Sequence, residues 1–309
     1  MPIHERDPWR LQYFAAVECP RDVHIPTDDI DAYCFNRAHR WLYNKLLVAE
    51  SQGIECGPHG IAPREFPVFA KPIYNLRGMG VDSRVVATSE DYERYVHPGQ
   101  MWMRLLTGDH VSTDAAVVRG NVRWIRNSVG VPLPGGTFDY WVVESRPRAE
   151  LEAYCTEWVA RHVPAYTGMI NLETIGGRII EAHLRFSDQW PDLYGADWLS
   201  AVVRLYSRGS WELIEAPRVA GYSVVLFGPH DRHYRHPAAE VVDRLRAYLG
   251  ISSVQITFSE AIEPAHHAMP PGGFRLAIVN TSDFGSGIAA RRMLANAFGV
   301  DAPDSDHEP

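Results

Sequence analysis

Apolar side chains recur with two different periods in this 309-residue chain. Segments with a period of two, or with a short continuous apolar run, predict strands, whereas spacings of three and four predict helices. The predicted strands are 11–15, 67–72, 84–88, 101–106, 110–118, 122–127, 137–143, 222–227, 254–258 and 275–280, together with a hairpin over 168–185. The predicted helices are 36–51, 91–96, 147–162, 197–206, 237–249 and 286–298. Because hairpins and helices both occur, the predicted fold class is α+β.

The composition is ordinary for a globular protein with a sizeable core, at 46% hydrophobic and 22% charged residues. The formal net charge is −8 and there is no long basic run, so we expect no nucleic-acid partner. No apolar run reaches membrane-spanning length, and residues 1–10 lack a signal-peptide pattern, so we expect a cytoplasmic protein without membrane association. The four cysteines show no CxxC spacing, which favours free thiols over a disulfide or zinc framework.

The hairpin carries a candidate metal site. A three-residue turn at 176–178 would place Glu173 opposite Glu181 and put all the polar side chains on one face. That face holds Asn171, Glu173, Glu181, His183 and Arg185. A two-residue turn would put the two glutamates on opposite faces. Facing carboxylates repel unless a cation lies between them, and Mg²⁺ is often held by one or two carboxylates together with phosphates. The alternative is a solvated polar face on an edge hairpin.

A candidate phosphate site lies earlier in the chain. A short apolar strand ends in Lys71, and a loop with Gly78 and Gly80 follows it. The lysine ammonium can contact phosphate oxygens, and glycines allow backbone N–H groups to approach them. The spacing is neither that of a P-loop nor that of a complete dinucleotide fingerprint. Taken alone, Lys71 equally fits an exposed lysine.

Four segments, in this order, resemble the ATP-grasp superfamily of carboxylate–amine ligase-like proteins, with a shortened N-terminal domain. Residues 43–54 resemble the helix that carries the first nucleotide lysine, here Lys45. Residues 66–81 resemble the strand with the second lysine, Lys71, and the flexible glycine lid. The other two segments resemble the adenine hinge with the strand after it, and the E-x-N-x-R metal signature; they are 101–118 and 181–185.

The resemblance implies an ATP-grasp fold, in which two α+β lobes with antiparallel sheets clasp a nucleotide cleft. The implied division of the chain is 1–40 as a shortened N-terminal segment, 41–105 as the small lobe, 106–215 as the large lobe with the metal hairpin, 216–300 as a C-terminal α/β extension, and 301–309 as a disordered acidic tail.

The resemblance also implies ATP and Mg²⁺ (or Mn²⁺) as cofactors. The activity would be activation of a small-molecule carboxylate as an acyl phosphate, which an amine or similar nucleophile then attacks. The implied nucleotide-binding residues are Lys45, Lys71, Gly78, Gly80, Arg104, Leu105, Leu106, His110, Asp114, His183 and Arg185. Glu173, Glu181 and Asn171 would bind the metal, and Lys71 and Arg185 would act in catalysis.

Three departures from the family pattern leave an alternative open. His183 stands where the family has a metal-binding asparagine, the hinge acid is absent, and only about 40 residues precede the small lobe. A module that binds nucleotide without catalysis would show the same departures. The shortened N-terminal segment also implies that the acceptor site is built differently or by another subunit, so a homodimer is a possible assembly.

Overall fold

The computed structural model describes residues 8–14, 17–76, 80–213, 217–267, 272–303 and 305. Within those ranges the strands form two antiparallel sheets, one of four strands and one of eight. Helices and antiparallel strands are mixed along the chain, so the α+β class predicted from the sequence is confirmed. None of the helices in the described ranges is long and apolar enough to cross a membrane.

The four-stranded sheet forms the small lobe, with strand order β1-β4-β2-β3. Its strands are β1 (Cys56–Pro58), β2 (Val68–Pro72), β3 (Arg84–Val86) and β4 (Gln100–Arg104). Helix α3 (Lys45–Glu50) packs against β1 and β4, and helix α4 (Ser89–Tyr95) packs against β3. The apolar side chains of this lobe form two small cores, one around Trp102 and one around Met103.

The eight-stranded sheet has the order β11-β12-β10-β7-β6-β5-β8-β9. Its strands are β5 (His110–Val118), β6 (Asn121–Pro132), β7 (Phe138–Val143), β8 (Gly168–Ile175), β9 (Arg178–His183), β10 (Gly221–Gly228), β11 (Ile251–Ile256) and β12 (Phe274–Thr281). The strands of the predicted C-terminal extension therefore continue the sheet of the large lobe, because β10 pairs with β7.

Four helices cover the large sheet. They are α5 (Ala149–His162), α6 (Trp198–Arg208), α7 (Ala239–Arg246) and α8 (Phe284–Phe298). Helix α5 buries Trp158 and Val159 against the apolar side of β5, β8 and β9, and helix α8 packs on β10 and β12. Helix α6 is strongly amphipathic and buries Trp198 in a separate core. The hairpin β8–β9 is thereby supported from its apolar face, which leaves its polar face toward the small lobe.

The N-terminal region differs from the sequence prediction. The predicted strand over 11–15 is wrong, because its described residues lie in helical turns, α1 (Pro8–Leu11) and a 3-10 turn (Gln12–Phe14). Proline favours the first turn of a helix, where its missing N–H leaves no bond unmade. Helix α2 (Asp29–Phe35) follows and is capped by Asp28, whose side chain accepts from the backbone N–H of Asp31 at 2.8 Å.

The predicted helix 36–51 is divided in two. A 3-10 segment (Arg37–Tyr43) ends at Asn44, and α3 begins at the next residue. The Asn44 side chain accepts from the backbone N–H groups of Leu46 and Leu47, at 3.1 and 3.2 Å. Asparagine is a strong N-cap because its side-chain oxygen satisfies N–H groups of the first turn. A new helix therefore begins at Lys45, and this places Lys45 at its first position.

A short connection joins the two lobes between β4 and β5. It runs beside the turn of the β8–β9 hairpin, where the Gly176 backbone N–H donates to the Asp109 carbonyl at 3.2 Å. A Cβ on Gly176 would overlap the Thr107 carbonyl oxygen, and Gly176 also has a positive φ of 55°. Glycine is required at such a position for both reasons. The connection between the lobes is thereby packed directly on the hairpin that carries the two glutamates.

Candidate functional site

The hairpin has the predicted register at its acidic residues. Glu173 lies opposite Glu181, and Asn171 lies opposite His183. The predicted three-residue turn is wrong, however. The turn has two residues, Gly176 and Gly177, with φ angles of 55° and 76°, as a type I′ turn requires.

A β-bulge reconciles the two-residue turn with the register. Thr174 lies opposite Ile179 and Glu173 lies opposite Glu181, so Ile180 is the extra residue. Ile179 packs in the core under α5, whereas Ile180 packs against the small-lobe core that contains Met103. The bulge therefore returns both glutamates to one face and turns one apolar side chain toward the small lobe.

Each of the two glutamates contacts basic side chains of the protein. Glu181 Oε1 accepts from Lys45 Nζ at 2.6 Å, and Glu173 Oε2 lies 3.1 Å from His110 Nε2. His183 Nε2 lies 3.7 Å from Glu173 Oε1 and 3.7 Å from Glu181 Oε2. Burial raises the pKa of Glu173, but His110 and His183 outweigh it and hold that pKa well below its usual range. Burial acts in the same way on Glu181, and Lys45 keeps its pKa below the usual range.

Both predicted nucleotide lysines reach this hairpin. Lys71 on β2 is 2% exposed and donates from Nζ to the Ile180 carbonyl at 2.8 Å. Burial lowers the pKa of Lys71 to about 8, and the attraction of Glu181 opposes this only partly. Lys45 is 4% exposed. Two buried ammonium groups and two facing carboxylates therefore meet between the lobes.

The space between these groups is narrow. A cavity of about 10 Å³ is lined by Leu42, Tyr43, Lys45, Asn75, Glu181, Ala182 and His183. That volume is close to the minimum for a single water molecule. A ligand larger than water therefore does not fit in this cavity as it stands.

Asp29 was missed by the sequence analysis and is buried next to the site. It comes from α2, is 5% exposed, and contacts His183 and Arg185 at 3.0 Å each. The attraction of these two groups outweighs burial and holds the pKa of Asp29 below its usual range. In the sequence, Asp28 and Asp29 are typical of the start of a helix. No separate signal indicates that Asp29 contacts residues more than 150 positions away.

Asp114 and Asn171 form a second cluster beside the glutamates. Asn171 donates to Asp114 Oδ1 and to Ser112 Oγ, both at 2.8 Å. The backbone N–H of Ser187 and the hydroxyl of Tyr194 also donate to Asp114, at 2.9 and 2.8 Å. Both carboxylate oxygens of Asp114 are thus occupied by protein donors. Burial outweighs these hydrogen bonds and raises the pKa of Asp114 to about 6.

Three of the remaining predicted nucleotide residues, Arg104, Leu105 and Leu106, lie at the connection between the lobes. Arg104 ends β4 and is exposed, and its backbone N–H donates to the Glu55 carbonyl at 2.8 Å. Leu105 and Leu106 follow it, and Leu106 packs against the Met103 core. Gly80 has a φ of 61°, in the left-handed region that favours glycine. Gly78 lies outside the described residues.

The donor groups fit a hard cation only in part. Two carboxylates on neighbouring strands are ligands that Mg²⁺ accepts. Across the described ranges, no group of three or more histidine, cysteine or acidic residues is arranged to hold a metal ion. An ion at this hairpin would therefore take its other ligands from phosphate oxygens and water, which is the usual arrangement for Mg²⁺ beside a nucleotide.

Two antiparallel sheets joined by a short connection, with a carboxylate hairpin facing a lysine strand, define an ATP-grasp fold, and the chain has this fold. Solved structures with the same fold include an L-amino acid ligase from Bacillus licheniformis. It aligns over 93% of this chain and 82% of its own length, with a TM-score of 0.65 and 11% sequence identity.

Two further similar structures cover most of the chain. Phosphoribosylamine–glycine ligase from Thermotoga maritima aligns over 88% of this chain and 83% of its own, with a TM-score of 0.57 and 16% identity. The biotin carboxylase domain of a 2-oxoglutarate carboxylase from Hydrogenobacter thermophilus, in complex with MgADP, ADP and bicarbonate, aligns over 84% and 66%, with a TM-score of 0.55 and 14% identity. Identities this low establish the shared fold alone. No protein-family model and no curated protein sequence matches the chain.

Proposed function

We propose that this chain is an ATP- and Mg²⁺-dependent ligase of the ATP-grasp type, which activates a small-molecule carboxylate for attack by an amine or a similar nucleophile. The observation that carries the proposal is the meeting of two buried lysines with two facing glutamates between the lobes. Two buried lysines and two partly exposed glutamates are unfavourable at one place unless they are paired, so their presence there is more typical of a functional site than of a core.

The proposed roles follow from the position of each side chain. Lys45 and Lys71 would hold the phosphates, and Glu173 and Glu181 would hold the metal ion, which neutralises phosphate charge when it is bound. Arg185 lies two residues beyond His183, just after the end of β9. Its guanidinium would contact the transferred phosphate. Asn171 uses its amide nitrogen for the bonds to Asp114 and Ser112, so its amide oxygen would be the atom that it offers to the metal ion.

Nucleotide binding would begin with separation of the lobes. The Lys45–Glu181 ion pair and the bond from Lys71 to the Ile180 carbonyl both cross from the small lobe to the hairpin. A polyphosphate would replace the partners of both lysines, and a metal ion would replace the lysine at Glu181. The exchange would leave both lysines facing phosphate oxygens and Glu181 facing the metal ion, so the groups that separate would gain new charged partners.

The proposal is tested by supplying the protein with ATP, Mg²⁺ and pools of carboxylates and amines, and by following the release of ADP and phosphate. Turnover that requires one carboxylate and one amine supports ligation. Release of ADP that is independent of both pools would argue against it. The matched controls are Glu181→Gln, which removes one metal ligand, and Glu157→Gln, which removes an exposed carboxylate on α5.

A nucleotide-binding module without catalysis is a second candidate. His183 favours it, because this ring occupies the position of the family's metal-binding asparagine and lies within 3.7 Å of both glutamates. Binding of MgADP without turnover in any pool would support this second function. Failure to bind MgADP at all would exclude both.

A further inference from the structure

The site includes a residue from the N-terminal segment, far from every predicted motif. Asp29 Oδ1 accepts from His183 Nδ1 at 3.0 Å, and Asp29 Oδ2 accepts from Arg185 Nη2 at 3.0 Å. The Tyr43 hydroxyl donates to Asp29 Oδ1 at 3.4 Å. The two oxygens of one buried carboxylate thus bridge the two basic side chains that follow Glu181 in the chain, one at the end of β9 and one just beyond it.

The bridge determines which way the His183 ring faces. With Nδ1 held by Asp29, the opposite nitrogen, Nε2, faces Glu173 and Glu181 at 3.7 Å from each. His183 is 4% exposed, and its Nε2 has no hydrogen-bond partner among the described residues. At 3.7 Å, Nε2 is within ion-pair distance of both carboxylates but beyond hydrogen-bond distance of either, so its hydrogen-bonding capacity is unfilled in the space between them.

The same bridge also restrains Arg185. Besides Asp29, this guanidinium donates to the Phe186 carbonyl at 3.2 Å. An arginine held by a carboxylate on one side presents its remaining N–H groups in a fixed direction, because the guanidinium is planar. Asp29 therefore sets the orientation of His183 and Arg185, two of the residues predicted to bind the nucleotide.

We propose that Asp29 is a positioning residue of the nucleotide site, which acts through His183 and Arg185. This inference rests on the proposed nucleotide-binding function. Helix α2 is then part of the site, and the ligand class is the phosphate portion of a metal-bound nucleotide. Its oxygen atoms supply the acceptor that Nε2 lacks. A carboxylate on one ring nitrogen fixes the direction of the other, as it does for histidines beside metal sites.

The test measures MgADP affinity by calorimetry on the full chain. Asp29→Asn is expected to weaken MgADP binding by about tenfold or more, because a charge-assisted bond to each of two positioned groups is lost. The matched control is Asp28→Asn, which makes the same change of charge one residue earlier. Asparagine caps a helix as well as aspartate does, so Asp28→Asn should bind MgADP as the wild type does.

A double-variant cycle separates positioning from general loss of structure. In a His183→Asn background, Asp29→Asn is expected to cost several-fold less affinity than in the wild type, because part of its effect passes through the missing ring. Equal losses in both backgrounds would overturn the inference. Where Asp29→Asn alone fails to fold, Asp29→Glu keeps the charge and displaces the carboxylate by one methylene, and it should also weaken MgADP binding.

Histidine side-chain NMR gives a readout that is independent of affinity. The His183 signal is the one absent from His183→Asn, and Asp29→Asn should move it while Asp28→Asn leaves it in place. If the wild type binds MgADP and Asp29→Asn binds it equally well, the role of Asp29 is overturned while the proposed function stands. Absence of MgADP binding by the wild type would overturn the proposed function and the nucleotide role of Asp29 with it.

Discussion

Two acidic clusters lie side by side on the eight-stranded sheet and differ in how their oxygen atoms are satisfied. Asp114 is 1% exposed, and donors from Asn171, Ser187 and Tyr194 occupy both of its oxygens. The glutamate cluster is more open, with Glu173 29% and Glu181 15% exposed at their side chains. Its neighbours are basic side chains, Lys45, His110 and His183, rather than backbone donors.

This difference gives the two clusters different roles: Asp114 stabilises the fold, whereas the glutamates are available to a ligand. A buried carboxylate whose acceptors are filled by neutral protein donors has no capacity left for a ligand. Carboxylates that are paired with lysine and histidine can exchange those partners for a metal ion while the charge stays balanced. Sequence reasoning placed Asp114 and Glu173 in the same nucleotide site, and their hydrogen bonds now give them separate proposed roles.

The largest expected effect belongs to the Asp114 cluster. Asp114→Ala leaves three buried donors without an acceptor, so we expect a loss of about 3 kcal/mol or more in the free energy of unfolding. Urea denaturation measures this loss, with Glu157→Ala on the exposed face of α5 as the control. The MgADP affinity of the folded fraction should stay within about threefold of wild type. A stable variant that no longer binds MgADP would instead place Asp114 in the nucleotide site.

Glu181→Gln should have the opposite pair of effects, with a smaller loss of stability and a larger loss of MgADP affinity than Asp114→Ala. The amide is almost the same size as the carboxylate and still accepts from Lys45, but the buried ammonium loses its counter-charge, so we expect a loss of about 1–2 kcal/mol in the free energy of unfolding. MgADP binding should weaken by about a hundredfold, because a charged metal ligand is lost. Calorimetry with MgADP, and again with ADP and a chelator, checks whether the loss is specific to the metal-bound nucleotide. Unchanged MgADP affinity would mean that the hairpin is a structural ion-pair site.

The sequence predicted the glutamate cluster better than it predicted what surrounds it. The alternation of polar and apolar residues in 168–185 predicted the pairing of Glu173 with Glu181 and of Asn171 with His183, but not the two-residue turn or the pairs next to it. The bulge at Ile180 was not predictable, since an inserted residue leaves no trace in a short pattern. The contact between Asp29 and His183 joins residues 154 positions apart, and no local period encodes such a pair.

A third prediction concerns Lys71. Burial disfavours its charge, so Lys71→Met is expected to raise the midpoint of thermal unfolding slightly while it weakens MgADP binding by about tenfold. Scanning calorimetry and MgADP titration on the same preparation measure both changes. Lys71→Met with full affinity would show that the lysine serves only the contact with the Ile180 carbonyl.

The smallest expected effect is a pH dependence of stability that arises from Asp114. Its folded-state pKa is raised to about 6, above the ordinary value near 3.8, so its neutral form is favoured by folding. The stabilising contribution is therefore complete below about pH 4 and is lost as pH rises through about 6. Between pH 5 and 7 the free energy of unfolding should fall by about 1 kcal/mol more in wild type than in Asp114→Asn. Parallel profiles for the two proteins would contradict this assignment.

Binding of Mn²⁺ in the presence and absence of ADP, followed by electron paramagnetic resonance, tests the proposed metal–nucleotide site most directly. The account predicts weak Mn²⁺ binding by the protein alone, because the glutamates are already paired with Lys45, His110 and His183. It predicts tight, stoichiometric binding with ADP, which Glu181→Gln abolishes and Asp114→Asn retains. Mn²⁺ binding that is indifferent to ADP, or that survives Glu181→Gln, would contradict it.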